Sequence, residues 1–279
     1  MKQLKNNILV VIVLYKIELY ESITYNSFIK SVVDLNLNYE ILIFNNSSDV
    51  IIKNDFNHVI VNSTINERLS GAYNYALNYA TEQHKDWLLL LDQDTIITRD
   101  YFVKLQNFFQ ESHAEDIVAV VPFLREKNRV LSPQKINFFG WWQHKILNSG
   151  YQKGRVSAFN SLSLLKVEFL NSIGGFNEEY PLDMLDHWYY LQIYKLKKIV
   201  YVLNTYIEHE LSVSNYESKV SLERHFGLLK AEKSFTKELG KSHYFTYKIR
   251  LIFRLFRQTL FFKDKRYAKL IFQILINKL

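Results

Sequence analysis

Three short apolar runs, residues 8–14, 40–44 and Trp87–Leu91, constrain this chain more than any other feature. Each is too continuous for a half-exposed strand and too short for an ordinary helix. Such Val-, Ile- and Leu-rich runs suit strands covered on both faces of a parallel sheet. Between them, residues 20–33 and 68–80 have helical length and spacing. Strand and helix in alternation predict an α/β fold with a Rossmann-like, mostly parallel central sheet flanked by helices. On such sheets, ligands bind beyond the carboxyl ends of the strands.

Two loops fall on that edge. Asn45-Asn46-Ser47-Ser48-Asp49 follows the second run, and its short polar side chains favour a loop because they hydrogen-bond their own backbone. Leu88 to Leu91 run straight into Asp92-Gln93-Asp94-Thr95. Two carboxylates one residue apart can both reach a hard divalent cation that keeps open positions for phosphate oxygens. Mg²⁺ or Mn²⁺ on a diphosphate is the natural occupant. Taken alone, an Asp-x-Asp is more often a solvated, helix-capping loop. Its place directly after a buried strand reverses that preference.

Composition narrows the chemistry. The 279 residues are 48% hydrophobic with only 8 Gly and 3 Pro, enough for a sizeable core and without the bias of a disordered or fibrous chain. There is no Cys, which excludes disulfides, thiolate zinc and a cysteine nucleophile. Catalysis falls to carboxylates, His or a hard metal. The apolar run near the N-terminus is short and lacks a small-residue cleavage site after it, so the chain is expected to begin at Met1 and to stay in the cytoplasm. No stretch has the roughly 20 apolar residues of a membrane-spanning helix.

Farther along, Gly174-Gly175-Phe176 interrupts a helix-like stretch, and Asp183, Asp186 and His187 precede an aromatic helical run over 188–194. Residues 199–203 read as another strand, with Glu208-His209 beyond it. From about residue 218 the pattern is helical only. The expected division is a main α/β domain over residues 1–215, which the resemblance described next makes the nucleotide-sugar-binding and catalytic domain, and a basic helical appendage over 216–279, with no internal repeat.

The ordered set of these segments resembles the inverting glycosyltransferases of family 2, within the GT-A superfamily. Tyr15 after the first strand, Asn45-Asn46-Ser47, the stretch from Asn66 to Asn74 containing Arg68, and Leu91-Asp92-Gln93-Asp94 resemble the nucleotide-binding half. Gly174-Gly175-Phe176-Asn177-Glu178, Asp183, Asp186 and His209 resemble the acceptor side, above all in rhamnosyltransferase-like members. The likeness covers residues 8–212 and implies a GT-A fold. It implies that Tyr15, Asn45, Arg68, Asn74 and Asp92 meet the nucleotide sugar, that Asp92 and Asp94 with His209 hold Mn²⁺ or Mg²⁺, and that Asp186 is the general base. A carboxylate beside the donor can accept the proton of an attacking hydroxyl. His209 as a plain strand-end residue, and Asp183 as base or helix cap, remain the competing assignments.

Departures from the family pattern matter too. Asn45 stands where Asp is usual, so an amide reads the nucleobase or braces the loop, and the choice between uridine and thymidine stays open. Trp188 and Gln192 replace an acid and an Arg of the rhamnosyltransferase pattern, and the Gln-x-x-Arg-Trp motif of processive synthases is absent. One sugar per encounter is expected, passed to a saccharide acceptor of bacterial capsule, O-antigen or exopolysaccharide assembly, lipid-linked in the membrane reading below. Tyr101, Phe102, Phe138, Phe139, Trp141 and Trp142 offer faces on which a sugar stacks, but core packing explains aromatics at least as often, which leaves Trp141 and Trp142, beside Gly140, as the candidates.

Basicity is concentrated in the tail, where residues 241–279 hold ten Lys and Arg against one Asp and leave the rest of the chain slightly acidic. Arg250, Arg254 and Arg257 recur on one side of a helix, with Ile249, Ile252, Phe253, Phe256 and Leu260 on another, and residues 266–278 repeat the theme. Residues 249–279 either lie on an anionic membrane surface, giving peripheral attachment at the inner face, or dock their apolar side on the main domain or in a homodimer. Nucleic-acid binding ranks last, because the basic residues frame an apolar helix face. A nucleotidyltransferase lacks support without a Gly-rich loop after the first strand. A catalytically silent nucleotide-sugar-binding subunit is the principal alternative.

Overall fold

The computed structural model describes residues 2–3, 6–53, 58–136, 142–209 and 220–276. These divide into two compact units, one drawn from residues 2–136 and 143–209, the other holding residues 220–276. The boundary expected near residue 215 lies outside the described residues, as does the aromatic segment 138–141; Trp142 opens a short strand, Trp142–Ile146.

The first unit is built on a nine-stranded sheet. In chain order its strands are β1 (Asn7–Leu14), β2 (Asn38–Asn45), β3 (Val59–Asn62), β4 (Trp87–Leu91), β5 (Ile117–Glu126), β6 (Arg129–Ser132), β7 (Gly150–Gln152), β8 (Ser163–Lys166) and β9 (Ile199–Glu208). Across the sheet the order is β7-β9-β5-β8-β4-β1-β2-β3, with β6 also on β5. β4, β1, β2 and β3 are mutually parallel. β8 is antiparallel to both β4 and β5, so β5 and its parallel neighbour β9 run the same way as β4. Six of nine strands thus share a direction and deliver their carboxyl ends to one edge.

Register sets the height of that edge. Ile12 pairs with Leu91 and Leu14 with Asn45, so Tyr15, Asn46 and Asp92 leave the sheet as neighbours. The apolar runs form strands because helices cover both faces: every residue of β4 is at most 1% exposed. Each such side chain contributes roughly 2 kcal/mol of burial. The covering helices are α1 (Ile23–Ser31), α2 (Arg68–Glu82), α3 (Arg99–Gln110), α4 (Val167–Ser172) and α5 (Leu185–Lys195).

Three expectations change. The helix expected over 20–33 is a 3-10 turn at Leu19–Glu21 followed by α1, because Ser22 caps α1 by accepting from the Tyr25 N–H at 3.1 Å. The strand expected over 199–203 continues to Glu208, so only His209 stands beyond it. The third concerns the tail.

The second unit packs α6 (Leu222–Glu238), α7 (Lys241–Phe261) and α8 (Arg266–Leu275) around Leu229, Tyr247, Leu251, Ile271 and Ile274. Arg254 makes a bidentate pair with Glu232, both bonds 2.9 Å, and the Tyr247 hydroxyl donates to Leu229 O at 3.0 Å. The packed face of α7 is therefore Tyr247, Leu251 and Leu255, not the set Ile249, Ile252, Phe253, Phe256 and Leu260 expected to form its apolar side. Ile249 is half-buried and the other four stay exposed. The sequence pattern misleads here because α7 is apolar along two stripes, and only one finds partners within the unit. Among the described residues, no helix is long and apolar enough to cross a membrane.

Candidate functional site at the carboxyl edge of the sheet

The loop after β4 is pinned on every side. Thr95 donates its N–H to Thr24 Oγ1 at 2.8 Å, and that hydroxyl donates back to Thr95 O at 2.9 Å. Gln93 O accepts from Ser22 Oγ at 2.9 Å, and Gln93 Oε1 accepts from the Tyr15 N–H at 2.7 Å. Side chains at the start of α1 thus supply the partners a tight loop otherwise lacks. Gln93 and Asp94 are held apart in function: the amide braces the loop and the exposed carboxylate beside it faces solvent.

Asp92 is half-buried, and its pKa is pushed up to about 7. Loss of hydration is the main cause, followed by repulsion from Asp94 and then from Asp186. Tyr73, in the middle of α2, is wholly buried with its hydroxyl aimed at this group. Burial and the nearby charges of Asp92 and Asp186 raise its pKa well above the ordinary tyrosine value. Its contact with Asp92 falls short of full hydrogen-bond geometry. Tyr73 was not singled out from the sequence; a lone Tyr on an amphipathic helix gives no signal beyond packing.

Asp186 arrives from the other half of the unit. It lies in the first turn of α5 and accepts the His187 N–H on Oδ1 at 2.7 Å. Met184, the residue before the helix, adopts a left-handed conformation with φ of 68°. A non-Gly residue held there is strained, a cost found where surrounding structure fixes a functional turn. His187 Nδ1 meets Ser157 Oγ at 2.7 Å, which orients the turn further. Electrostatically, Asp186 acts on both Asp92 and Tyr73, so the start of α5 approaches the end of β4 and the middle of α2.

His209, directly after β9, reaches the same edge: its Nδ1 is 3.3 Å from Thr95 Oγ1. Burial lowers its pKa, opposed by the charges of Asp94 and Glu126, so the imidazole is neutral at pH near 7, the form that binds metals. Among the described residues no three His, Asp or Glu side chains form a ready-made metal cage. Asp94 interacts electrostatically with both Asp92 and His209. Asp92, stripped of hydration and repelled by Asp94, together with an imidazole that feels the charge of Asp94, is a donor set whose repulsion a Mn²⁺-class ion would relieve.

The remaining expected residues divide. Tyr15 is 43% exposed at the end of β1, with Lys16 over its ring. Arg68 opens α2 with φ of 59°, its carbonyl accepting from Asn46 Nδ2 at 3.0 Å. Asn45 is fully buried and its amide is engaged with Val50 O, Asn62 Oδ1 and the Ser47 N–H. Of its two expected uses, the geometry matches bracing the loop. Asn74 is engaged likewise, Nδ2 donating to Phe176 O and Oδ1 accepting from Phe176 N, both at 2.8 Å. Asn74 therefore clamps the Gly174-Gly175-Phe176 turn instead of facing the edge. Gly175 has φ of 82°, and a Cβ there would stand 2.7 Å from Asn74 Oδ1, which is why the turn needs glycine. The N–H groups of Leu69 and Ser70 at the start of α2 are likewise taken, by Pro181 O at 2.9 and 3.1 Å.

The family model described as glycosyl transferase family 2 matches residues 11–172. No curated protein matches the chain. Among solved structures, a mannosyltransferase from Pyrobaculum calidifontis in complex with GDP-Man and Mn²⁺ is 12% identical, with 83% of this chain and 64% of that one covered and a TM-score of 0.54. GalNAc-T7 with UDP, GalNAc and Mn²⁺ is 11% identical over 83% of this chain and 48% of that one, TM-score 0.57. TarS 1-349 of S. aureus in complex with UDP is 17% identical over 84% and 66%, TM-score 0.51. The chain thus spans less than two thirds of the length of each of these three, and at such identities the likeness is one of fold.

Proposed function

The chain belongs to glycosyl transferase family 2, and from that premise we propose that it moves one sugar from a UDP- or dTDP-linked donor to a saccharide hydroxyl, with inversion at the anomeric carbon. The observation that carries this reading is the convergence of Asp186, from the acceptor-side half, on Asp92 and Tyr73, from the nucleotide-side half. A base placed against the donor-side carboxylates is what direct displacement by an acceptor hydroxyl requires.

Roles follow from placement. Tyr15 and the loop after β2 border the nucleobase, with Asn45 holding that loop in shape, and Arg68 stands at the mouth of α2 where it meets the donor's charge. Asp92, Asp94 and His209 would hold Mn²⁺ or Mg²⁺; when bound, the ion neutralises the diphosphate leaving group. Asp186 accepts the acceptor's proton. Tyr73 keeps its own proton at neutral pH because burial raises its pKa, and it steadies the Asp92 carboxylate from behind. Asn74 acts at one remove by fixing the turn that precedes α5. The catalytic domain extends to about residue 215, and the acceptor belongs to bacterial surface polysaccharide assembly.

Calorimetric titration of UDP, dTDP and GDP, with and without Mn²⁺, tests the reading. Metal-dependent binding of one nucleotide, lost in Asp94→Ala, is expected. Failure of all three to bind at millimolar concentration would replace the proposed enzyme with a silent subunit of the same fold.

A further inference from the structure

Helix α7 presents two unlike faces. Tyr247, Leu251 and Gln258 are buried within the helical unit. Phe245, Ile249, Ile252, Phe253, Phe256 and Leu260 follow at intervals of four, three, one, three and four residues. At about 100° per residue these six fall within roughly a 100° arc, a single stripe along the helix. Phe245 is 66%, Phe253 70%, Phe256 63% and Leu260 72% exposed. Three phenylalanines left in water on one helix face is not the scatter of single apolar residues expected on any surface.

We propose that this stripe is a docking face for an anionic lipid surface, with α7 lying in the plane of the leaflet. Charge chooses the occupant. On the same helical projection Arg250 and Arg257 border one side of the stripe and Lys241 and Lys248 the other, where lipid headgroups would meet a helix sunk to the depth of its phenylalanines. α7 contains no Asp or Glu, and the one acid that follows, Asp264, is bonded to Arg266. A second copy pairing stripe to stripe would set these cations against each other with no carboxylate on either helix to compensate. Negative headgroups satisfy both rows at once, and the polybasic flanks add to what the apolar stripe supplies. The packed face keeps Arg254 on Glu232 and Tyr247 on Leu229, so docking needs no rearrangement of the unit.

The test uses the full chain without nucleotide or metal, so its outcome is independent of the catalytic reading. Co-sedimentation with phosphatidylcholine vesicles is compared with that on vesicles containing phosphatidylglycerol. Binding to the anionic vesicles and little to the neutral ones is expected, weakened by roughly a hundredfold in the double variant Phe253→Glu, Phe256→Glu, which removes two rings that would enter the lipid. Lys248→Glu with Arg257→Glu lowers the affinity and flattens its dependence on salt. Circular dichroism and the Tm confirm that both variants fold. Absence of vesicle binding by the parent chain, or equal binding by the aromatic variant, overturns the proposal. So does a dimer seen by light scattering that Phe253→Glu dissolves while no vesicle binding is found.

Discussion

At the carboxyl edge of the sheet Asp92 and Tyr73 are drawn away from water near the charge of Asp186, whereas along α7 Phe245, Phe253, Phe256 and Leu260 are left in it. Both arrangements cost stability when the protein stands alone. The Asp92 carboxylate loses hydration at the edge, and apolar rings keep water ordered on the helix. In each region the partner we propose has the opposite character: a cation and an anionic ligand at the edge, a lipid surface on α7. A fold that tolerates both has enough stability elsewhere, chiefly in the fully buried strands β1 and β4.

The comparison breaks first if the edge is merely structural. Asp186→Asn is expected to lower nucleoside diphosphate release in the presence of acceptor by roughly a hundred- to ten-thousandfold while nucleotide affinity stays, since only the base is lost. Unchanged turnover would remove Asp186 from the chemistry.

The pH dependence of stability sharpens it next. In the unfolded chain Asp92 titrates near 3.8 and in the folded one at about 7. A carboxylate raised in this way favours folding below its unfolded pKa, and that contribution is lost as pH rises through about 7. The Tm of the metal-free protein is expected to fall over that interval, and Mn²⁺ is expected to raise it more above pH about 7 than below pH about 5. Asp92→Asn should flatten both responses in a thermal melt; an unaltered pH profile would mean the carboxylates are solvated.

Smaller effects separate the clamp from the stripe. Gly175→Ala forces a Cβ against Asn74 in a left-handed turn and should cost about 1–3 kcal/mol by denaturant titration. Gly174→Ala, with a similar φ of 83° but open space around it, should cost only about 1 kcal/mol. Phe253→Glu should move stability by no more than about 0.5 kcal/mol, because its ring packs on little in the free protein. A cooperative loss of structure there would make the stripe a core face and end the comparison.

The parallel strands were legible because burial on both faces leaves a continuous apolar run; Trp87–Leu91 is bounded as expected. β5 and β8, at the centre of the same sheet, were not read. Ser163–Lys166 is only four residues long, and Pro122 sits inside β5, so neither stands out from its surroundings. At the candidate site, the position of Asp92 and Asp94 just past a strand was legible, as was that of Asp186 at the start of the aromatic helix. Tyr73 and Gln93 were not, since their roles arise from contacts across the fold: Gln93 reaches Tyr15 over 78 residues. Asn74 shows the converse, a motif position whose amide turns toward Phe176 once the chain folds. On α7 the sequence revealed amphipathicity but not which of two apolar stripes would find partners.

β8 has a consequence for biosynthesis. It fills the gap between β4 and β5, both made before it, pairing Ser163 with Leu90 and Leu164 with Val120. Until residue 166 has left the ribosome, one edge of the most apolar strand in the molecule has no neighbour. At roughly 5–20 residues per second, that exposure lasts on the order of 4–15 s after Leu91 is made. An open edge on a leucine strand recruits other strands, so the nascent chain during this interval is the form of the protein most in need of a chaperone, and slow codons between residues 92 and 166 would lengthen its risk of aggregation.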